Sequence, residues 1–525
     1  MGRTFVSVFG ADRICSVIAR RSAGELLSGL RIAARESTVI ELRFDWLTSL
    51  AEISRAIEMV GKEIGRRARS RGARRLCLIA TLRRRAAGGE FRGSIAQQLE
   101  FLRSAISAGC EWCDLEIETA MASPRAVREL QVAGARVLVS FHDFRRTPQD
   151  LDRVARNLRR QRGDAIKIAT HCQSVSDALR VLSLAHGRQD VVEVPMGDAG
   201  LAARVLALSR GSALAYASSG EASAPGQLSV SDMRGLYRVD RISKATRIFG
   251  IIGDPVKYSL SPLMHNSGYV KRGVNAVFLP FQVSDLRDFM RAASRLRLSG
   301  LSVTKPHKQT IIAYLDRCDA LSARIGAINT VAFRAKKLYG YNSDYIGVLR
   351  ALQRKMRLHG SSVLILGAGG AARAAVFALV QAGAEVFICA RRYAKARDLA
   401  IASSANAVPR TGLRKRQFDA IINATPVGMG DDRSAPIRTD ELNCRVAMDM
   451  VYSPMKTEFL RMAARRGIKT ISGAEMLIAQ GAAQWEIWLA TRAPVKVMRN
   501  SVLRALNADE RRASRHSTRE LATKE

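Results

Sequence analysis

Ser361-Ser-Val-Leu-Ile-Leu-Gly-Ala-Gly-Gly-Ala-Ala372 runs from an unbroken aliphatic stretch into a glycine-rich turn and then into small helix formers. A short apolar run bounded by glycine reads as a strand buried on both faces. Gly367, Gly369 and Gly370, with Ala371 at the last small position, let backbone N–H groups approach phosphates at a helix N-terminus. Strand, turn and helix in that order predict an α/β fold with a dinucleotide-binding layer. The next strand, Glu385-Val-Phe-Ile-Cys-Ala390, runs into Arg391 and Arg392, with Lys395 just beyond. NAD-binding chains place an acid there, whereas cations favour the 2′-phosphate of NADP(H).

Toward the N-terminus, short β-branched runs alternate with helical stretches: Phe5–Phe9, Thr38–Arg43, Leu76–Thr81, Cys113–Glu118, Arg136–Phe141, Ala165–Ala169, Asp190–Val194 and Ala213–Ala217. Eight such runs predict a (β/α)8 TIM barrel, whose strand C-termini form the mouth of the site. Several runs end in polar residues, among them Glu41, Arg43, Thr81, Glu116, Glu118 and His142, with Lys167 inside its strand.

The chain has 525 residues, enough for three or four domains at about 150 each, or fewer where one is a barrel. With 47% apolar and 25% charged residues, disordered, collagen-like and mucin-like classes are excluded. Lys and Arg number 84 against 47 Asp and Glu, a net +37. Arginine is spread along the whole chain, and its one dense run, Arg66 to Arg75, has no interleaved aromatic to stack on bases, so no nucleic-acid function is expected. The eight cysteines are scattered, and Cys110-Glu-Trp-Cys113 has no second CxxC or His pair, so no metal site is expected. No run approaches the ~18 apolar residues of a membrane span, and the opening decapeptide lacks a signal-peptide block, so the expectation is a cytoplasmic chain without a membrane partner.

Lys167 is flanked by apolar residues in Ala165-Ile-Lys-Ile-Ala169, and desolvation makes an amine a nucleophile toward ketones. His142 ends the preceding predicted strand, where an imidazole beside an iminium can remove a proton from the adjacent carbon. Arg43, Arg83 and Arg204 can bind a carboxylate or hydroxyls by fork geometry. Chemistry alone therefore suggests a Schiff-base lyase or aldolase acting on an anionic ketone.

Glu41-Leu-Arg-Phe-Asp45, Ser140-Phe-His-Asp-Phe144, Ala165-Ile-Lys-Ile-Ala169, Met196-Gly-Asp-Ala-Gly200 with Arg204, and Ala222-Ser-Ala-Pro-Gly-Gln227 resemble, in order, the type I 3-dehydroquinate dehydratases. The resemblance implies that Lys167 forms an imine with the ketone of 3-dehydroquinate and that His142 is the general acid and base. It implies that Arg204 holds the carboxylate, and that Glu41, Arg43, Arg83, Ser223 and Gln227 contact hydroxyls or close over the substrate. One departure stands out: where the family carries a glutamate that orients the histidine, Arg83-Arg-Arg-Ala-Ala-Gly-Gly-Glu90 places Ala87.

In the second half, Ser259 and Ser261 occupy alternate positions, which on an extended segment face the same way and suit one carboxylate. With Leu301-Ser-Val-Thr-Lys-Pro-His-Lys308, Ile325-Gly-Ala-Ile-Asn-Thr330, Gly340-Tyr-Asn-Ser-Asp344, Asn423-Ala-Thr-Pro-Val-Gly-Met429, Val451-Tyr-Ser-Pro454 and Met476-Leu-Ile-Ala-Gln480, this segment is similar to shikimate dehydrogenase. The resemblance implies a catalytic pair, Lys308 and Asp344. It implies substrate contacts at Ser259, Ser261, Thr304, Asn329, Tyr452 and Gln480, and nucleotide contacts that add Thr425 and Gly473 to the glycine turn and its cations. Ser302 and Ser343 replace the usual Asn and Thr, and neither change removes a catalytic group.

The expected organisation is a barrel at 1–235, a linker at 236–247, a substrate domain at 248–345, a Rossmann-like NADP domain at 346–480, a returning C-terminal helix at 481–507 and a frayed charged tail at 508–525. Together the two resemblances imply a bifunctional shikimate-pathway enzyme that dehydrates 3-dehydroquinate and then reduces 3-dehydroshikimate with NADPH. The alternatives are a quinate/shikimate dehydrogenase with an impaired dehydratase half, and a basic RNA-associating or scaffolding protein.

Overall fold

The computed structural model describes residues 8–185, 188–220 and 226–522, with side chains to 511. The chain divides into two compact units, 1–246 with 280–296, and 247–279 with 297–525. Each is α/β.

In the first unit, β1 (Ile14–Ala19), β2 (Val39–Arg43), β3 (Cys77–Thr81), β4 (Trp112–Glu116), β5 (Arg136–Asp143), β6 (Ala165–His171), β7 (Val191–Met196) and β8 (Ala215–Ser218) form one sheet in the order β7-β6-β5-β4-β3-β2-β1-β8. The pairings within it are parallel, and its two ends meet where Ala213 N–H donates to the Val191 carbonyl at 2.7 Å. The result is a nearly closed barrel.

Residues two apart on a strand share a face, and that period stacks the interior in layers. Cys15, Val39, Ile79, Trp112, Leu138, Ala165 and Val192 form an apolar floor. One step up the strands stand Glu41, Thr81, Asp114, Ser140 and Lys167; a further step brings Arg43, Arg83 and His142. The apolar floor thus carries the chemistry at the C-terminal ends.

The first strand differs from expectation. Residues 5–7 of Phe5–Phe9 lie outside the described residues, and Phe9 sits in a turn, its ring stacked 4.1 Å from that of Trp112. Ile14–Ala19 takes the barrel position because its register against Val39–Arg43 satisfies the ladder, while Phe9 plugs the floor. Two β-rich segments separated by four residues compete for one place, and local pattern does not choose between them.

The second unit holds two sheets, the first of which takes in a strand, Ala276–Gln282, whose residues 276–279 belong to this unit. β9 (Arg247–Gly253), β10 (Ala276–Gln282), β11 (Leu298–Val303), β12 (Arg317–Cys318), β13 (Thr330–Arg334) and β14 (Lys337–Tyr341) form a mixed sheet ordered β10-β9-β11-β13-β14-β12. β15 (Ser362–Leu366), β16 (Glu385–Cys389), β17 (Asn406–Ala407), β18 (Phe418–Asn423), β19 (Cys444–Asp449) and β20 (Lys469–Ile471) form a parallel sheet ordered β17-β16-β15-β18-β19-β20. Alternate residues of β15 enter two separate cores, Val363 and Ile365 in one and Leu364 and Leu366 in the other, as a doubly wound sheet requires.

The helix Gly473–Leu489 is continuous through position 480, where the sequence reading placed a boundary. Ala474, Ile478, Ala482, Trp485 and Trp488 bury one of its faces against Phe249, Tyr269 and Phe278. A Cβ at Gly481 would stand 2.1 Å from Met264 Cε, so the Met264 side chain of the helix Ser261–Arg272 packs directly on this glycine. The stretch expected as a frayed tail is helical as far as Ala522.

Candidate active sites

A cavity of about 100 Å³ at the C-terminal end of the barrel is lined by Glu41, Arg43, Arg83, His142, Lys167, Arg204 and Gln227, together with Glu90, Phe144, Met196 and Tyr216. It gathers the expected barrel residues except Ser223, which lies outside the described residues.

Lys167 is 3% exposed, withdrawn from water as its apolar neighbours in sequence lead one to expect, and charged groups share its burial. Its Nζ donates to Asp114, lies 3.6 Å from Glu41 Oε1 and stands 4.7 Å from the centre of the Tyr216 ring. Burial pushes the Asp114 carboxyl up, but the charges of Lys167 and Arg83 and the hydrogen bonds from Lys167 and Ser140 outweigh it and hold Asp114 below the usual carboxylate range. Ser140 donates to it at 2.5 Å, and Thr81 donates to Glu41 at 2.8 Å.

His142 is held well below its ordinary value, first by burial and then by the charges of Arg83, Lys167 and Arg43. The imidazole is therefore neutral and able to accept a proton. Its ring lies 5.9 Å from that of Phe144, and its buried Nδ1 has no hydrogen-bond partner among the described residues. That orphan is what the sequence leads one to expect of a site with Ala87 where a carboxylate would orient the ring.

Two of the three cavity arginines, Arg43 and Arg204, are held by partners of their own, whereas Arg83 lies 3.7 Å from Asp114 and its buried Nε has no partner among the described residues. Arg43 donates to both Asp45 oxygens, at 2.9 and 2.7 Å, in a buried fork. Arg204 Nε donates to the Pro195 carbonyl at 2.7 Å, and burial pulls the guanidinium down to about 10. Asp45 and Asp114 are parts of this site that sequence reasoning missed. Asp45 lies within a quoted string, but neither carboxylate is marked by spacing as a partner of Arg43 or Lys167.

In the second unit a cavity of about 380 Å³ is lined by Ser259, Ser261, Thr304, Lys308, Asn329, Asp344, Tyr452 and Gln480, with Ala371 and Gly473 from the nucleotide side. Lys308 Nζ donates to Asp344 Oδ2 at 2.6 Å, and Asn329 Nδ2 donates to Asp344 Oδ1 at 2.7 Å. Asn329 is itself fixed by Thr330 Oγ1 and the Ser343 N–H, both donating to its Oδ1, at 2.8 and 2.6 Å. Asn342 caps the helix Ser343–Gln353 by accepting from Asp344 and Tyr345, which anchors the carboxylate in the first turn.

Ser259 and Ser261 share the cavity for a different reason from the extended geometry expected. Leu260 between them is helical, φ −82° and ψ −4°, and Ser261 opens the helix Ser261–Arg272. Gln484, which the sequence did not mark, ties the cavity together: it accepts from Ser302 Oγ at 2.9 Å and donates to Thr330 Oγ1 at 3.1 Å. It stands one helical turn beyond Gln480, on the same face.

The glycine turn fits a dinucleotide. Gly369 caps the helix Gly370–Gln381, and a Cβ at Gly369 or Gly370 would meet nothing within 4 Å, so the N–H groups of the first turn are open to an anion. Gly367 has φ +118° and would bring a Cβ within 3.1 Å of the Ala424 carbonyl. Arg391, Arg392 and Lys395 are exposed just past the end of β16, and Thr425 donates to Asn423 Oδ1 at 2.7 Å in the turn after β18. Of the expected nucleotide residues, only Ala371 and Gly473 line the same cavity as the Lys308–Asp344 pair. At Gly473 a Cβ would lie 2.4 Å from the Val451 carbonyl, so this helix start is pressed against the segment that carries Tyr452.

Among the described residues no helix is long and apolar enough to cross a membrane.

Family models match along the chain: type I 3-dehydroquinase at 14–244, the shikimate dehydrogenase substrate binding domain at 251–331, shikimate/quinate 5-dehydrogenase at 350–427 and the shikimate 5′-dehydrogenase C-terminal domain at 473–503. The chloroplastic bifunctional 3-dehydroquinate dehydratase/shikimate dehydrogenase of Arabidopsis thaliana is 31% identical over 87% of this chain and 78% of its own length. The shikimate dehydrogenase (NADP(+)) of Pyrococcus furiosus is 39% identical over 50% of this chain and 97% of its own. A solved shikimate 5-dehydrogenase from Thermus thermophilus, in complex with NADP(H) and shikimate, is 34% identical over 50% of this chain and all of its own, with a TM-score of 0.47. With one relative matching across both halves and family models covering each in turn, the chain belongs to the bifunctional 3-dehydroquinate dehydratase/shikimate dehydrogenase family.

Proposed function

We propose that the barrel turns 3-dehydroquinate into 3-dehydroshikimate through an imine on Lys167, and that the second unit reduces that product to shikimate with NADPH. Lys167 Nζ adds to the ring ketone, and loss of the ketone oxygen as water leaves a protonated imine. His142 then takes a proton from the adjacent carbon while the electron pair flows into the iminium. Returning that proton to the departing hydroxyl releases a second water, and hydrolysis of the imine frees the product and Lys167. A neutral His142 and a Lys167 within reach of two carboxylates supply the base and a proton relay for the amine.

In the second site Lys308 holds a proton for the ketone oxygen, Asp344 fixes Lys308, and Asn329 fixes Asp344. The dinucleotide, when bound, supplies hydride. The turn from Gly367 to Ala371 would hold its pyrophosphate, and Arg391 and Arg392 its 2′-phosphate. The naming of the Pyrococcus relative as an NADP(+) enzyme supports the same nucleotide here.

The observation that carries the reading is that each half gathers an amine and its proton partner in one cavity, Lys167 with His142 and Lys308 with Asp344. Assaying each half-reaction with its own substrate tests it. Lys167→Met is expected to lose dehydration and keep reduction, and Lys308→Met the reverse. Retention of dehydration by Lys167→Met would overturn the imine route.

A further inference from the structure

A cavity of about 810 Å³ belongs to neither active site. It lies in the second unit and is bounded by the C-terminal end of the helix Ser343–Gln353, the helix Glu458–Arg465, the end of β20 and the helix beginning at Val495. Six cationic side chains line it, Arg354, Lys355, Lys456, Arg461, Arg465 and Arg499, against one lining carboxylate, Glu475.

Glu475 is shared, since Arg354 lies 3.2 Å and Arg499 2.5 Å from the same oxygen, Oε2. Glu458, outside the lining, takes Arg465 and lies 3.7 Å from Arg461. Among the described residues neither Lys355 nor Lys456 is in an ion pair. Two carboxylates are thus paired with four of the six cations, and a third, Glu510, accepts from the N–H of the lining residue Met455 at 3.2 Å, so cations outnumber carboxylates two to one. Concentrating like charge around a concavity is unfavourable unless a counter-charge occupies it, and the low-dielectric walls focus the field on that space.

The floor is aliphatic, made by Met455, Leu460, Ala464 and Ile471, and no aromatic side chain lines the cavity. Base stacking, the usual means of holding single-stranded nucleic acid, has no platform here. The volume falls within the range of small-molecule sites, roughly 300–1,000 Å³. Arginine forks suit phosphate and carboxylate groups, and the floor suits saturated carbon.

We infer that this cavity binds a compact, multiply charged organic phosphate with an aliphatic framework, at a site separate from the dinucleotide turn. Pyrophosphate probes the anionic part alone, and fructose 1,6-bisphosphate adds a carbon framework. Calorimetric titration of the full chain with each is expected to show saturable binding, tighter for the bisphosphate. Lys456→Glu with Arg461→Glu is expected to weaken both at least ten-fold while leaving dehydrogenase turnover unchanged. Arg354→Gln with Lys355→Gln, from the opposite wall, weakens them in the same direction and covers the case in which charge reversal unfolds the helix.

Arg391→Glu with Arg392→Glu is the control for the nucleotide site, and binding of pyrophosphate and of the bisphosphate in the groove is expected to persist in that variant. Three results would overturn the inference: binding untouched by both groove variants, binding lost only with the Arg391 and Arg392 pair, or tight capture of a single-stranded RNA that the groove variants abolish and pyrophosphate does not displace.

Discussion

Lys308 and Asp344 form a pair at 2.6 Å in which the carboxylate's other oxygen is already taken by Asn329 at 2.7 Å. Asp344 is 8% exposed at the start of a capped helix, so neither its position nor its partner is free to drift. The carboxylate thus fixes the ammonium group in the cavity that Ser259, Thr304 and Gln480 also line.

Asp344→Asn keeps the shape and removes the charge. Reduction of 3-dehydroshikimate is expected to fall by roughly 10²–10⁴ in kcat, the usual worth of a positioned proton-transfer group, with KM little changed. Steady-state kinetics of both half-reactions on the same preparation check this, and dehydration should be unaffected.

His142 gives a pH prediction with a defined sign. Burial and three neighbouring cations hold it below 6.5, so it stays neutral and active as pH falls through that value. Arg83→Gln removes one cation and raises the value toward 6.5. The acid limb of the dehydration profile should therefore move to higher pH in the variant, whatever happens to the overall rate. The same imbalance lowers stability in acid, because the unfolded imidazole takes a proton near pH 6.5 before the folded one does.

Ala87→Glu returns a carboxylate to the position from which the histidine ring is expected to be oriented. An acceptor for the orphaned Nδ1 fixes the tautomer with Nε2 free as base. Dehydration should quicken by roughly ten-fold, the scale of a lost outer hydrogen bond. Borohydride trapping of the Lys167 adduct, read by mass spectrometry, should be unchanged, which separates orientation of the histidine from imine formation.

Much of both sites was legible because the chemistry sits on regular elements. Lys167 and His142 occupy adjacent strands, and the period of two brings them to one mouth. Asp114 was not legible, since a carboxylate that partners Lys167 across β5 depends on barrel register rather than spacing. Gln484 escaped for a similar reason, lying in a stretch that reads simply as helix until β11 and β13 are packed beneath it. The displaced first strand shows the limit from the other side: Phe5–Phe9 and Ile14–Ala19 both carry strand patterns, and the pairing of β1 with β2 and β8 selects the second.

Arg391 and Arg392 are predicted to set the nucleotide. Arg391→Asp with Arg392→Asp should raise KM for NADPH by roughly 10–100-fold, the cost of one charged hydrogen bond, and leave NADH use unchanged or improved. Initial rates with both nucleotides read the ratio directly.

Two working sites in one chain are tested together by one mixture: purified protein, 3-dehydroquinate and NADPH, with no other enzyme, followed by loss of absorbance from NADPH. Oxidation in proportion to the 3-dehydroquinate supplied is predicted. No oxidation, with rescue by added 3-dehydroshikimate, would contradict a functional barrel; no oxidation even then would contradict the dehydrogenase.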